Sequence, residues 1–303
     1  MIWKGVMPAM TTAMNSDFSL DHAAIAKRAR WMIESGCTGI VALGSLGESP
    51  TLSHLEKKTV LDTIRAAVNA PLVAGIAGLS TSEAVALAEM ASDAGCDGLM
   101  VLPPYVYHGD EREMKAHVSA IFKATNLPCM LYNNPVAYGT DFTPDQIAQL
   151  AEEHENLVAV KESSTDVRRV TAIRSLIGDR LALFVGVDDA IVEGIAAGAT
   201  GWIAGLVNAF PEESVALFEL ATAGRWHEAF ELYRWFLPLL RLDTVPKFVQ
   251  MIKLAEARLG VGSATVRPPR LELAGEELQA IASLIDNAIK HRPSLAKVNQ
   301  VAD

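Results

Sequence analysis

The sequence predicts an α/β protein of the (β/α)8, or TIM-barrel, class with a C-terminal helical extension. Three observations predict it. Short apolar runs alternate with amphipathic helical stretches eight times before about residue 225. Such alternation calls for parallel strands joined by crossover helices, and eight units close a barrel. After Pro211 the strands stop and only helical stretches follow. No linker, low-complexity tract or short-period repeat divides the chain.

Residues 6–12 form the first apolar stretch. Residues 21–34 have helical spacing at Ile25, Ala29, Met32 and Ile33, and stop before Gly36. Strand 39–43 runs into the glycine-bracketed turn Gly44-Ser45-Leu46-Gly47-Glu48. Ser53 is placed as an N-cap for helix 53–68, with Glu56 at the capping-box position. Strand 72–75, helix 80–94, strand 98–102 and helix 111–124 follow. Strand 128–132 ends at Asn133-Asn134-Pro135, and helix 143–154 enters through Thr143-Pro144. The run Leu157-Val158-Ala159-Val160 goes straight into Lys161, as a buried parallel strand with a lysine at its C-terminal end. Helix 166–176, strand 181–186, helix 190–197 and strand 201–204 complete the alternation. Helices are expected over 211–223, 225–240, 244–259 and 275–290. The organisation expected is a catalytic barrel over 1–224, a helical extension packed on it over 225–293, and a flexible tail over 294–303.

Bulk properties narrow the function. The chain has 303 residues, half of them hydrophobic, enough for a large core. Its net charge of −10 argues against nucleic acid and anionic membranes as partners. Cys37, Cys96 and Cys129 lie far apart, which suits a reducing cytoplasm and predicts neither a disulfide framework nor a zinc site. The start Met1-Ile2-Trp3-Lys4-Gly5 lacks the pattern of a signal peptide. No apolar run reaches the roughly 18 residues of a membrane span. His108, His117 and His154 are scattered without metal-ligand spacing. A small-molecule substrate remains.

Ser45, Tyr132 and Lys161 all fall at C-terminal strand ends, where barrel enzymes do their chemistry. Tyr132 and Lys161 are 29 residues apart, about one βαβ unit, so they belong on neighbouring strands. Schiff-base catalysis needs such a set. The amine must be neutral to attack a carbonyl, yet at an ordinary pKa only about 1 in 2,500 lysines is neutral at pH 7. Burial on an apolar strand raises that fraction. A phenol held by a second hydroxyl, here Tyr132 with Ser45, can relay the protons.

These residues resemble the dihydrodipicolinate synthase / N-acetylneuraminate lyase family of Schiff-base lyases. The family's Gly-Ser/Thr-Thr-Gly-Glu turn is matched by Gly44-Ser45-Leu46-Gly47-Glu48. Its Tyr-Asn-x-Pro is matched by Tyr132-Asn133-Asn134-Pro135, and its Lys-Glu-Ser/Ala by Lys161-Glu162-Ser163. Its Gly-x-Asp-Asp/Glu is matched by Gly186-Val187-Asp188-Asp189, and its apolar pocket residue by Ile203. The resemblance implies that Lys161 is the Schiff-base lysine, Tyr132 the proton-transfer phenol and Ser45 its linked hydroxyl. It implies that Tyr105 completes the relay across a dimer contact, that the protein is a homotetramer built as a dimer of dimers, and that no cofactor is needed beyond the covalent lysine. It places Leu46, Gly47, Ala137, Tyr138, Ser163, Gly186, Asp188 and Ile203 around the substrate.

Two departures bear on the substrate. The synthases continue the tyrosine motif to an arginine that holds a substrate carboxylate, and here Ala137 fills that slot. A methyl group cannot replace a bidentate arginine–carboxylate contact. Leu46 stands where the family has threonine. The reading favoured on these grounds is elimination from a 2-oxo acid or its cyclic imine, as in deamination of 4-hydroxy-1-pyrroline-2-carboxylate. The alternatives are dihydrodipicolinate synthase and N-acetylneuraminate or 2-keto-3-deoxy sugar acid aldolase. A catalytically silent 2-oxo acid sensor is the alternative of another class.

Overall fold

The apolar runs become strands whose two faces are both covered, which is why they read as continuous hydrophobic stretches and not as alternating ones. The computed structural model describes residues 3–295. Its strands are β1 (Gly5–Pro8), β2 (Ile40–Ala42), β3 (Leu72–Ile76), β4 (Gly98–Val101), β5 (Cys129–Asn133), β6 (Leu157–Glu162), β7 (Ala182–Val185) and β8 (Gly201–Ala204). All eight lie in one parallel sheet in sequence order, with β1 against β8. The ring closes between β1 and β2 through a bridge of Ala9 to Val41, where the Met10 N–H donates to the Val41 carbonyl at 2.9 Å. This is the (β/α)8 barrel that the alternation predicts.

The covering helices are α1 (His22–Glu34), α2 (His54–Ala67), α3 (Thr81–Asp93), α4 (Glu111–Lys123), α5 (Pro135–Tyr138), α6 (Pro144–Glu153), α7 (Arg168–Ile177), α8 (Ile191–Ala196) and α9 (Pro211–Thr222). Then come α10 (Trp226–Leu240), α11 (Phe248–Arg258) and α12 (Gly275–Lys290). Caps act where the sequence places them. Ser53 and Glu56 exchange reciprocal hydrogen bonds at the start of α2, and Thr143 and Gln146 do so at α6. None of the described helices is long and apolar enough to cross a membrane.

Three expectations are corrected. β1 stops at Pro8, and the residues beyond it fold into a hairpin-like excursion bridged between Met14 and Leu20. The chain after β5 does not remain a loop, because Asn134 caps the one-turn helix α5 and accepts the Ala137 N–H at 3.0 Å. The last long segment is not helical from residue 244. A 3-10 turn at Arg241–Asp243 and an open stretch to Lys247 precede α11. Pro246 disfavours helical geometry at the residue before it, and this opens the stretch. The tail expected over 294–303 lies outside the described residues from 296 onward.

The helix α11 carries two buried charges three residues apart, Lys253 and Glu256. Lys253 Nζ lies 2.6 Å from Glu48 Oε1 in the turn after β2 and donates to the Thr265 carbonyl at 2.7 Å. Glu256 Oε1 lies 2.7 Å from Arg28 on α1 and accepts from Thr11 Oγ1 at 2.7 Å. Glu48 itself holds a left-handed backbone, φ 54°, which a non-glycine residue adopts only when its surroundings fix it. Removing one partner of a buried pair strands the other charge. We therefore expect Lys253→Ala to lose about 3–5 kcal/mol in urea unfolding. The pair Lys253→Met with Glu48→Gln should recover most of it. A loss under about 1 kcal/mol would mean that Arg270, 3.9 Å from Glu48 Oε2, already supplies the compensation.

Candidate active site

The barrel ladder sets the centre of the site. Tyr132 on β5 is in register with Lys161 on β6, and Lys161 is in register with Phe184 on β7. Parallel neighbours in register point their side chains the same way. Lys161 Nζ consequently lies 4.2 Å from the centroid of the Tyr132 ring. Both side chains are buried. Burial pushes the Lys161 amine down to about 8, against the opposing pull of the Asp243 and Asp188 carboxyls. At that value about one lysine in ten is neutral at pH 7, roughly two hundred times the ordinary fraction. Burial also raises the Tyr132 phenol to about 12, so it keeps its proton at neutral pH.

Asn134 Nδ2 donates to the Tyr132 hydroxyl at 2.9 Å, while its Oδ1 is fixed by the α5 cap. That bond uses a lone pair of the phenol and leaves its proton free to be given. Ser45 bonds the hydroxyl of Tyr138, a partner that the motif does not announce, besides facing Tyr132. The reason is α5: its single turn carries Tyr138 over the Ser45 turn. The hydroxyls of Ser45 and Ser163 still face the Tyr132 oxygen and favour its ionised form. The rings of Tyr132, Tyr138 and Tyr105 run in a row, with centroids 6.0 Å and then 5.8 Å apart. Tyr105 therefore rests half-buried on its own chain's Tyr138 and does not reach the lysine cavity.

That cavity has a volume of about 420 Å³, the size of a small-molecule site. Of the substrate-side candidates, Leu46, Ala137, Ser163, Gly186 and Ile203 line it beside Ser45, Tyr132 and Lys161. Gly186 is there for room. A Cβ on it would lie 1.9 Å from Ser163 Oγ and 2.6 Å from Lys161 Cε. Gly47, Tyr138 and Asp188 do not line it. The Gly47 carbonyl accepts from Thr12 Oγ1 at 2.7 Å. Asp188 is buried behind the wall, where its carboxylate accepts from Trp202 Nε1 and from the N–H groups of Gly205 and Leu206 at 2.8–3.2 Å. Its work is to hold the turn after β8. Asp189 faces outward, 3.5 Å from Arg241.

The loop after β5 is fixed from below. Asn133 Nδ2 donates to Glu162 Oε2 at 3.1 Å and to Asp141 Oδ1 at 3.0 Å, and Arg169 grips Asp141 with two bonds. The position of α5 at the cavity mouth follows from this network. Sequence reasoning misses Asn134, Thr165 and, above all, Asp243, which line the same cavity. The one local sign of Asp243 is the polar break Asp243-Thr244 ahead of Pro246, between two apolar helices. Among the described residues, no cluster of three or more His, Cys, Asp or Glu side chains is placed to hold a metal ion.

Comparison with known proteins places the chain by sequence and by fold. The profile of the dihydrodipicolinate synthetase family matches residues 2–288. The 4-hydroxy-tetrahydrodipicolinate synthase of Rhizobium meliloti (strain 1021) is 33% identical over 292 residues, covering 96% of this chain and 98% of that protein. The 4-hydroxy-tetrahydrodipicolinate synthase structure from Methylacidiphilum fumariolicum SolV superposes with a TM-score of 0.92 at 28% identity, covering 98% of this chain and 99% of the other. The chloride-inhibited dihydrodipicolinate synthase of Acinetobacter baumannii, solved with pyruvate, gives a TM-score of 0.89 at 29% identity, with 95% and 99% covered. This chain belongs to the dihydrodipicolinate synthetase family.

Proposed function

We propose that the protein is a class I lyase that takes a 2-oxo acid as an imine on Lys161. The observation that carries this reading is the buried amine, lowered to about 8, over the ring of a phenol that keeps its proton. The neutral amine attacks the carbonyl carbon, and the C=O electron pair moves to oxygen and takes a proton. Water then leaves and an iminium remains. Loss of a proton from the next carbon gives an enamine, the common point for condensation, cleavage and elimination. Tyr132, whose ring lies 4.2 Å from Lys161 Nζ, is a proton donor for these transfers. The N–H groups of Ser45 and Leu46 have no acceptor among the described residues, which suits them to the substrate carboxylate. The iminium formed on the lysine is the electron sink, so the proposed chemistry calls for no added cofactor.

The relatives are named 4-hydroxy-tetrahydrodipicolinate synthases, which supports the synthase condensation as the second half of the reaction. A second reading is elimination from a hydroxylated 2-oxo acid or its cyclic imine, such as 4-hydroxy-1-pyrroline-2-carboxylate. Ala137 and Leu46 favour it, since both line the cavity and Lys161 is the one cation among the described residues that does. The proposed assembly is a cytoplasmic homotetramer. Leu79, Val106 and Tyr107, all exposed, offer apolar surface for contacts between copies, and light scattering reads the mass directly. A mass equal to one chain would rule the tetramer out.

The lysine reading has a direct test. Borohydride should trap a pyruvate-type substrate on wild-type protein at Lys161 and leave Lys161→Ala unlabelled. Because only the neutral amine attacks, the trapping rate should climb about tenfold per pH unit and level off near pH 8. A rate flat from pH 6 to 9 would contradict a lysine so lowered. Tyr132→Phe should still bind substrate while kcat falls by roughly 10²–10⁴. Wild-type kcat in that variant would remove Tyr132 from the relay.

The choice of second step is decided by kcat/KM for synthase condensation, N-acetylneuraminate cleavage and hydroxypyrroline carboxylate deamination, measured side by side. A missing charge-assisted contact to a second carboxylate costs about 1.5–3 kcal/mol, or roughly 10- to 150-fold in affinity. The elimination reading therefore expects the synthase reaction to trail by that margin. A synthase reaction tenfold faster than the other two settles for the relatives' activity.

A further inference from the structure

Asp243 is the acidic side chain that lines the lysine cavity, and it arrives from outside the barrel, on the turn between α10 and α11. Its Oδ1 is sealed from solvent and has no hydrogen-bond partner among the described residues. Nor does Asp243 form an ion pair among the described residues. Asp188, by comparison, meets three donors. A carboxyl oxygen sealed from solvent without a donor is costly to keep, so its retention in a ligand cavity calls for an explanation. The neighbouring wall is shaped to admit it. A Cβ on Gly205 would lie 2.0 Å from Asp243 Oδ1 and 2.8 Å from Leu46 Cδ1, so the carboxyl presses against a bare Cα beside an apolar side chain. Leu46 brings no hydroxyl to this wall. Asp243 and Lys161 feel each other's charge.

We propose that Asp243 is a second catalytic proton-transfer residue: as the acid it protonates the hydroxyl leaving the carbinolamine, and as the carboxylate it is the counter-ion of the resulting iminium. This inference rests on the Schiff-base reading of Lys161. In the step, the C–O bond of the carbinolamine breaks and its electron pair leaves with oxygen. The Asp243 proton joins that oxygen, and water departs. The nitrogen lone pair forms the C=N bond, leaving an iminium beside a carboxylate. No oxidant or reductant is involved. Burial and the nearby Asp188 and Asp189 raise the carboxyl well above the ordinary carboxylate range, which favours its protonated form. Once the lysine nitrogen becomes a fixed cation, the same carboxyl gains the partner it lacks.

The experiment follows imine formation by borohydride trapping of pyruvate and mass spectrometry, on wild-type, Asp243→Asn and Asp243→Ala protein. Wild type reports on Lys161: absence of an adduct there refutes the lysine reading itself. With wild type labelled, Asp243→Asn should form the adduct roughly 10²–10⁴ times more slowly. Asp243→Ala should regain rate as formate is added, because formate supplies a small acid to the vacated space. A merely structural aspartate gives no such rescue. Adduct formation by Asp243→Asn within threefold of wild type overturns the proposal. So does a slow Asp243→Ala that formate leaves unchanged, which would make Asp243 a positioning residue.

Discussion

The pairing of Lys253 with Glu48 joins two parts of the chain that otherwise share no secondary structure. Glu48 belongs to the turn that carries Ser45 and Leu46, and Lys253 to the helix that follows the Asp243 loop. Each face of the cavity is thereby indexed to the other through one contact of 2.6 Å. Arg267 adds its backbone N–H to Glu48 Oε2 at 2.9 Å, so the carboxylate is held from two directions. A buried pair is weak support for stability in itself, because desolvation offsets much of the attraction. What it supplies here is register. The second pair, Glu256 with Arg28, fixes the same helix against α1, and two anchors three residues apart leave α11 little freedom to rotate.

With that register set, the electrostatics of the cavity follow from burial. Taking an amine and a carboxyl out of water moves both toward their neutral forms, the amine downward and the acid upward. Lys161 near 8 and Asp188 near 6 show the two directions, and in each case desolvation outweighs the mutual attraction that opposes it. The phenol of Tyr132 moves the same way as the acids. The result is a phenol that keeps its proton at neutral pH beside an amine whose neutral, attacking fraction is far larger than that of an ordinary lysine.

The barrel is legible in the sequence because its signals are local. A strand covered on both faces is a short apolar run, a helix start is a Ser or Thr with Glu or Gln three residues on, and the lysine interrupts its own run. The strand-end set of Ser45, Tyr132 and Lys161 is legible for the same reason. What escapes is long-range. Asp243 enters the cavity from a turn whose place depends on how α10 and α11 pack, and no periodicity reports that. Ser45 bonds Tyr138 because four residues after Asn134 coil into a turn too short to show a helical pattern. Asp188 looks like a ligand in the motif, yet it is committed to the N–H groups of the β8 turn, which become its neighbours only after folding.

The inner and outer walls of the site are built by different rules. Lys161 and Tyr132 are placed by strand register, which a parallel barrel cannot alter without moving whole strands. Val136, Ala137, Asp243 and Thr244 sit on α5 and the turn before α11, where substitution disturbs no ladder. The far end of a substrate meets this second set. A second carboxylate there would approach Asp243 with no guanidinium among the described lining residues to offset it, whereas a hydroxyl or a protonated nitrogen would find an acceptor. Condensation on a carboxylated aldehyde would need a cation brought to the mouth from outside that lining, and another copy of the chain is one source. Elimination from a hydroxylated chain needs no cation there. The proposed imine chemistry thus draws on the barrel, and the identity of the proposed second step draws on the two loops at its mouth.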